Sequence, residues 1–207
     1  MPGPEAGSGY VQIPATPEMC AYCFEVVIAH LQGRPAPPLP ANVNPEANHP
    51  LFVTFSQTPD DALRGCIGSL RAVPMARAGE YAVMAAVKDQ RFSPMRLDEL
   101  PGLTCSVSIL HDFETAPSAM DWVIGEHGII INFRSDRGDR YNATYLPEVA
   151  LEHEMTHQSA LQSLVKKSGY RGAMDAKLLS QMEVTRYKST KTKLTYTEYF
   201  QKYRTGS

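Results

Sequence analysis

The chain has 207 residues, 43% of them hydrophobic, and a formal net charge of -2. That is enough apolar material to bury a core, which excludes disorder for most of the length and fits one domain, or one with a small subdomain. No apolar run approaches the ~18 residues of a membrane span, and Met1 to Gly9 lacks the charged and apolar regions of a signal peptide, so a soluble protein of the cytoplasm or nucleus, without membrane contact, is expected.

Residues 1–13, rich in Gly, Pro and Ser at their start, are expected to be a flexible terminus, with the folded domain spanning 14–203. Thr16 offers an N-cap oxygen, Pro17 suits a first helical position and Gly33 a C-terminal stop, so the spacing of Cys20, Cys23, Phe24, Val27, Ile28 and Leu31 predicts a helix over 17–32. Residues 34–50 hold six prolines and read as an extended connector. Leu51 to Gln57 is strand-like, Pro59-Asp60-Asp61 is a turn, and Ala62 to Leu70 returns as the second arm of a hairpin. Pro74 to Val87 then reads as a small-residue helix, and Leu103 to Leu110 as a strand. A helical turn starting at Pro117 is expected to carry Trp122. Gly128 to Phe133 and Arg140 to Tyr145 flank Asp136-Arg137-Gly138-Asp139 as another hairpin. Helical segments run from Pro147 to Gly169, a strand follows near Gln181 to Tyr187, and a last helix starts at Thr195 with Glu198 completing a capping box. Hairpins outnumber crossover units, so the expected class is α+β: a mainly antiparallel sheet with flanking helices, one domain with a larger and a smaller lobe.

Chemistry concentrates in Leu63-Arg64-Gly65-Cys66-Ile67-Gly68. Two glycines in a strand pattern imply a positive φ, a bulge or a close approach. Arg64 can fork onto a carboxylate or phosphate, and Cys66 is a nucleophile if a cation or amide dipole lowers its pKa. The structural alternative is a bulged strand with a core cysteine and an arginine paired to a carboxylate. Downstream, Lys88-Asp89-Gln90-Arg91-Phe92-Ser93-Pro94 forms a charged corner; folded back, its Asp89 is expected to pair with Arg64, or Arg64 and Arg91 to hold an anion beside Cys66. Cys20-Ala21-Tyr22-Cys23 matches C-x-x-C, but both thiols fall on the apolar stripe of the first helix and are expected in the core, with Cys66 and Cys105 isolated. Four cysteines are too few for a disulfide scaffold, and an intracellular setting keeps them reduced. His153-Glu154-Met155-Thr156-His157 matches the zinc-hydrolase pattern H-E-x-x-H. Thr156, however, reads as a helix N-cap, so the motif straddles a helix boundary and its histidines lose their shared face; no metal site is expected. From Lys166 onward ten Lys or Arg stand against three acids. No RNA-binding or recognition-helix pattern accompanies them, which argues against nucleic acid.

The hexapeptide closely resembles the signature of the AMMECR domain family, named for a human chromosomal region of Alport syndrome, midface hypoplasia and elliptocytosis. The resemblance extends to Pro50-Leu51-Phe52-Val53-Thr54, Lys88-Asp89 with Arg91-Phe92, Glu99-Leu100-Pro101, Cys105-Ser106-Val107-Ser108, His127-Gly128-Ile129, Ala143 to Ala150 and Thr185-Arg186-Tyr187. It implies a single α+β domain whose larger part is built from both chain ends, and a Memo-like pathway partner, since prokaryotic members are fused or linked to Memo-like and radical-SAM proteins. It carries no established reaction. The H-E-x-x-H pairing departs from the family pattern.

Three functions compete. The first is a binding or adaptor module using the Leu63 to Gly68 region, with Arg64, Gly65, Gly68, Arg91, Phe92 and Glu148 as contacts for a protein or small anionic ligand. The second is a small-molecule enzyme with Cys66 as nucleophile, Arg64 or Arg91 orienting an anionic substrate, and Asp89 or Glu148 moving protons. The third is a zinc hydrolase through His153, Glu154 and His157. No cofactor is expected in the first two.

Overall fold

A computed structural model describes residues 12–204. The flexible terminus expected over residues 1–13 therefore lies almost wholly outside the described residues. Six strands, β1 (Asn48–Gln57), β2 (Leu63–Pro74), β3 (Leu103–Thr115), β4 (Gly128–Arg134), β5 (Arg140–Tyr145) and β6 (Glu183–Thr195), form a sheet in the order β2-β1-β3-β6-β4-β5. The hairpins β1/β2 and β4/β5 and the pairs β1/β3 and β4/β6 are antiparallel. The helices are α1 (Pro17–Leu31), α2 (Ala78–Val87), α3 (Pro147–Glu152), α4 (His157–Lys167), α5 (Ala176–Gln181) and α6 (Tyr196–Tyr199). This is the α+β class expected. No described helix is long and apolar enough to cross a membrane.

The described chain divides into two compact units, one of 13–110 with 190–204, the other of 12 with 111–189. In the first, α1 and α2 cover the face of β1 and β3 that carries Leu51, Val53, Phe55, Cys105, Val107 and Ile109, all fully buried. Strand alternation sends Thr54, Ser106 and Ser108 to the opposite face, so one pleat separates an oily side from a hydroxyl side. Phe24 of α1 joins this core to the C-terminal segment, stacking on Tyr199 at 5.2 Å and meeting Phe55 edge-on at 5.7 Å. In the second unit, Ile129, Ile131, Phe133 and Val184 pack beneath Leu161 and Leu164 of α4 and Leu178 of α5.

Local chemistry explains the helix ends. Thr195 and Glu198 form the expected capping box, Thr195 Oγ1 accepting from the Glu198 amide. Thr156 caps α4 in the same way with Ser159. Thr16 occupies the N-cap of α1, yet its hydroxyl makes no cap: the Met19 amide donates to the Thr16 carbonyl instead. Gly33, Gly138 and Gly169 take positive φ where the helices and the second hairpin turn.

Two expectations need correction. Residues 116–127 form turns with no helix. Tertiary and side-chain bonds take their donors first: Ala116 N–H goes to the Val184 carbonyl and Val123 N–H to His127 Nδ1, and Gly125 turns at φ 85°. Strand β3 runs on past Leu110 to Thr115 and β6 past Tyr187 to Thr195, while Gln181, expected to start the latter strand, ends α5. Among the added residues, His111-Asp112 and Lys188 to Lys193 look like loop by composition and become strand only through pairing.

Candidate functional site

The hexapeptide opens β2, an outer strand of the sheet. Phe55 pairs with Gly65 and Ser56 with Leu63, so Arg64 is the extra residue of a β-bulge. The bulge turns its side chain inward, where the residue is only 7% exposed. Both glycines answer to close approach. A Cβ on Gly65 would collide with the Ala85 carbonyl of α2, and one on Gly68 with the Phe52 ring and the Leu51 carbonyl. Neither has positive φ.

The expected Arg64–Asp89 pair does not form. Arg64 Nε and Nη2 donate to the two oxygens of Glu99 at 2.8 and 3.2 Å, and Nη2 also to the Ser93 carbonyl at 3.0 Å. Its Nη1 is buried without a protein hydrogen-bond partner. The Arg64 guanidinium, and then burial in the opposite sense, set the Glu99 carboxyl below its usual range.

Asp89 sits where α2 ends and is claimed by its neighbour two residues on. Arg91 Nε and Nη2 donate to its oxygens at 2.9 and 2.7 Å, the Arg91 amide donates at 3.2 Å, and the Cys66 amide at 2.9 Å. Chiefly through the Arg91 hydrogen bonds, its carboxyl is held at about 2. Arg91 Nη2 reaches on to the Cys66 carbonyl at 3.2 Å. Asp89 and Arg91 together thus do for Cys66 what a neighbouring strand would: one accepts from its N–H, the other donates to its C=O. The Cys66 thiol, half-buried, receives a hydrogen bond from Thr54 Oγ1 at 3.1 Å. Phe92 lies near both guanidiniums, 5.9 Å from Arg64 and 5.6 Å from Arg91.

Arg64, Gly65, Cys66, Gly68, Asp89, Arg91 and Phe92 therefore converge in one unit, and Glu99, absent from the sequence expectation, joins them. Its sequence signals were membership of the Glu99-Leu100-Pro101 segment and its place after Arg96 in a helix-opening pattern, where Arg96 N–H donates to it at 2.9 Å. Glu148 lies on α3 of the other unit, where its charge adds to the burial that raises the Tyr187 phenol.

His153 closes α3, Glu154 takes φ 50°, and His157 opens α4. The motif straddles the boundary as expected, and His157 Nε2 lies 2.8 Å from the Trp122 carbonyl. Two imidazoles one turn apart on a single helix, the arrangement zinc hydrolysis needs, are not formed. Cys20 and Cys23 are buried in the core as expected, but Cys105 is not isolated: it meets both thiols, and burial first, then these neighbours, push its pKa well up.

Comparisons with known proteins agree with one another. An uncharacterized protein of Arabidopsis thaliana is 41% identical over 192 residues, covering 90% of this chain and 88% of its own. One from Schizosaccharomyces pombe is 41% identical over 185 residues, covering 88% and 94%. The crystal structure of an uncharacterized protein from Pyrococcus horikoshii superposes with a TM-score of 0.70 at 24% identity, over 84% of this chain and 89% of that one, and shows the same fold. The family model described as AMMECR1 matches residues 20–192, and the chain belongs to the AMMECR1 family.

Proposed function

We propose that the chain is a non-catalytic binding or adaptor module, and that Arg91, Phe92 and the outer side of the Leu63 to Gly68 segment meet a protein or small anionic partner. The observation that carries this reading is the engagement of Asp89. With a pKa of about 2 and both oxygens hydrogen-bonded, it is a poor proton acceptor at neutral pH, whereas a base for a cysteine nucleophile works best near the operating pH. Arg64 is likewise spent on Glu99 and the Ser93 carbonyl. What faces outward is the Arg91 side chain, 56% exposed yet already oriented by Asp89, beside the Phe92 ring. A cation fixed before its partner arrives spares part of the ordering cost of binding. A carboxylate or phosphate next to an apolar group suits it, and a Memo-like protein is the first partner that family membership suggests.

The test compares proteins retained by the wild type and by Arg91→Ala, after matching the two for stability, by quantitative mass spectrometry. At least one partner should fall away in the variant. If none depends on Arg91, the reading fails.

Two observations favour the thiol-enzyme alternative. The Thr54 hydroxyl donates to Cys66 Sγ, and the Arg91 cation interacts with the same thiol, both of which favour a thiolate. Alkylation of Cys66 followed against pH separates the two. Slow labelling that titrates near the ordinary ~8.5 leaves no activated thiol, while fast labelling with a plateau below neutrality supports the enzyme.

A further inference from the structure

The β4/β5 hairpin ends in an arrangement that folding alone disfavours. Arg134 and Arg140 are directly opposite each other across the two strands, and Arg137 stands in the turn between them. Like charges in register repel, and sheets ordinarily avoid them. All three arginines are exposed. The carboxylates nearest in sequence are engaged elsewhere: Asp136 pairs with Lys177, and Asp139 bonds with Ser135. Arg134 makes one hydrogen bond, from Nη1 to the Gly138 carbonyl at 3.3 Å. Among the described residues none of the three arginines has an acidic partner. The next rung of the same face sets Asn132 against Asn142, two amides that can accept as well as donate. Strand β5 is also an outer strand of the sheet, with Lys167 Nζ donating to its Thr144 carbonyl at 3.0 Å, so its Arg140 end is the part left open to an arriving chain.

We infer that the Arg134–Arg137–Arg140 hairpin end is a docking surface for an acidic, extended segment of a partner protein. A strand bearing Asp or Glu at alternate positions would place carboxylates against the opposed guanidiniums and turn their repulsion into attraction. Nucleic acid fits less well. Single strands are held by base stacking on open aromatic rings, and here the neighbouring Tyr141 is committed to packing on Phe133 at 5.4 Å and Tyr170 at 5.1 Å.

The test uses the whole chain with three labelled probes: a Glu/Asp-rich peptide, its Lys-rich counterpart, and a single-stranded oligonucleotide of the same net charge as the acidic peptide. The acidic peptide should bind saturably and more weakly as salt rises, and the Lys-rich peptide should not bind. Arg140→Glu should lower the affinity about tenfold while raising the denaturation midpoint, because an ion pair replaces a like-charge pair. Arg140→Thr should show the same two signs with smaller changes. Arg34→Ala, which removes an exposed cation whose Nε bonds only the neighbouring Gln32 side chain, should leave peptide binding unchanged. Absent binding, unchanged affinity in Arg140→Glu, or an equal loss in Arg34→Ala overturns the proposal. Tighter binding of the oligonucleotide than of the peptide overturns it in favour of a nucleic-acid surface.

Discussion

At the β2 edge the charged side chains near the strand are absorbed into the architecture: Arg64 grips Glu99, Arg91 grips Asp89, and Asp89 and Arg91 close off the backbone of Cys66. At the β4/β5 end three arginines are set side by side with no such partner among the described residues. The difference separates two uses of the same residue type. A guanidinium that finishes a sheet is buried or clamped and costs stability when removed. One that waits for a partner is exposed, and its removal should cost nothing. Of the β2-edge side chains only Arg91 has a share in both uses, since Asp89 clamps it while it stays more than half exposed.

The largest effect that could break this contrast belongs to Gly65. Gly65→Ala drives a methyl into the Ala85 carbonyl, backbone that cannot swing aside, and should cost about 3 kcal/mol or prevent soluble expression altogether, the upper range for overpacking. A urea midpoint unchanged from wild type would show that α2 moves freely against β2. Next comes Arg64→Met, which strands the half-buried Glu99 carboxylate and should cost about 2–3 kcal/mol. Arg64→Lys should rescue little, because a point charge cannot span both Glu99 oxygens. A double-mutant cycle with Glu99→Gln would measure the coupling directly.

Asp89 supplies a pH test. Its folded pKa lies below the ordinary 3.8, so its contribution is complete above about pH 4 and is lost as pH falls toward 2. With Arg91 largely in solvent, the contribution is about 1–2 kcal/mol. Wild-type stability should therefore decline through that window by that much more than Asp89→Asn does, read as unfolding free energy against pH. The smallest effect carries the opposite sign: Arg140→Thr should stabilise the hairpin by about 0.5 kcal/mol. A destabilised Arg140→Thr would mean that the arginines serve the fold after all.

Much of the framework is legible in the sequence. The first helix, the two hairpins and the Thr195–Glu198 cap rest on signals confined to a few neighbouring residues, where period and capping chemistry speak directly. The site was legible in membership more than in wiring. Asp89 and Arg91 do fold back onto the hexapeptide, but the partner of Arg64 is Glu99, 35 residues away in sequence, and separation of that kind leaves no periodic trace. Asp89 in turn is captured by the nearer Arg91, a contest between two cations that spacing alone does not decide. Cys105 escaped for the same reason, since only the packing of α1 on β3 brings it to Cys20 and Cys23. The arginine pair needed register as well: Arg134 and Arg140 are plain in the sequence, and their opposition exists only once the turn fixes which residues face each other.

The three core thiols give the molecule an internal clock. Cys20, Cys23 and Cys105 have no exposed surface, while Cys66 is partly open. A thiol reagent therefore meets one reactive sulfur in the native protein and four once the larger unit opens. In the limit where labelling outruns reclosing, the slow appearance of three further adducts in an intact-mass spectrum reads the opening rate of that core without denaturant.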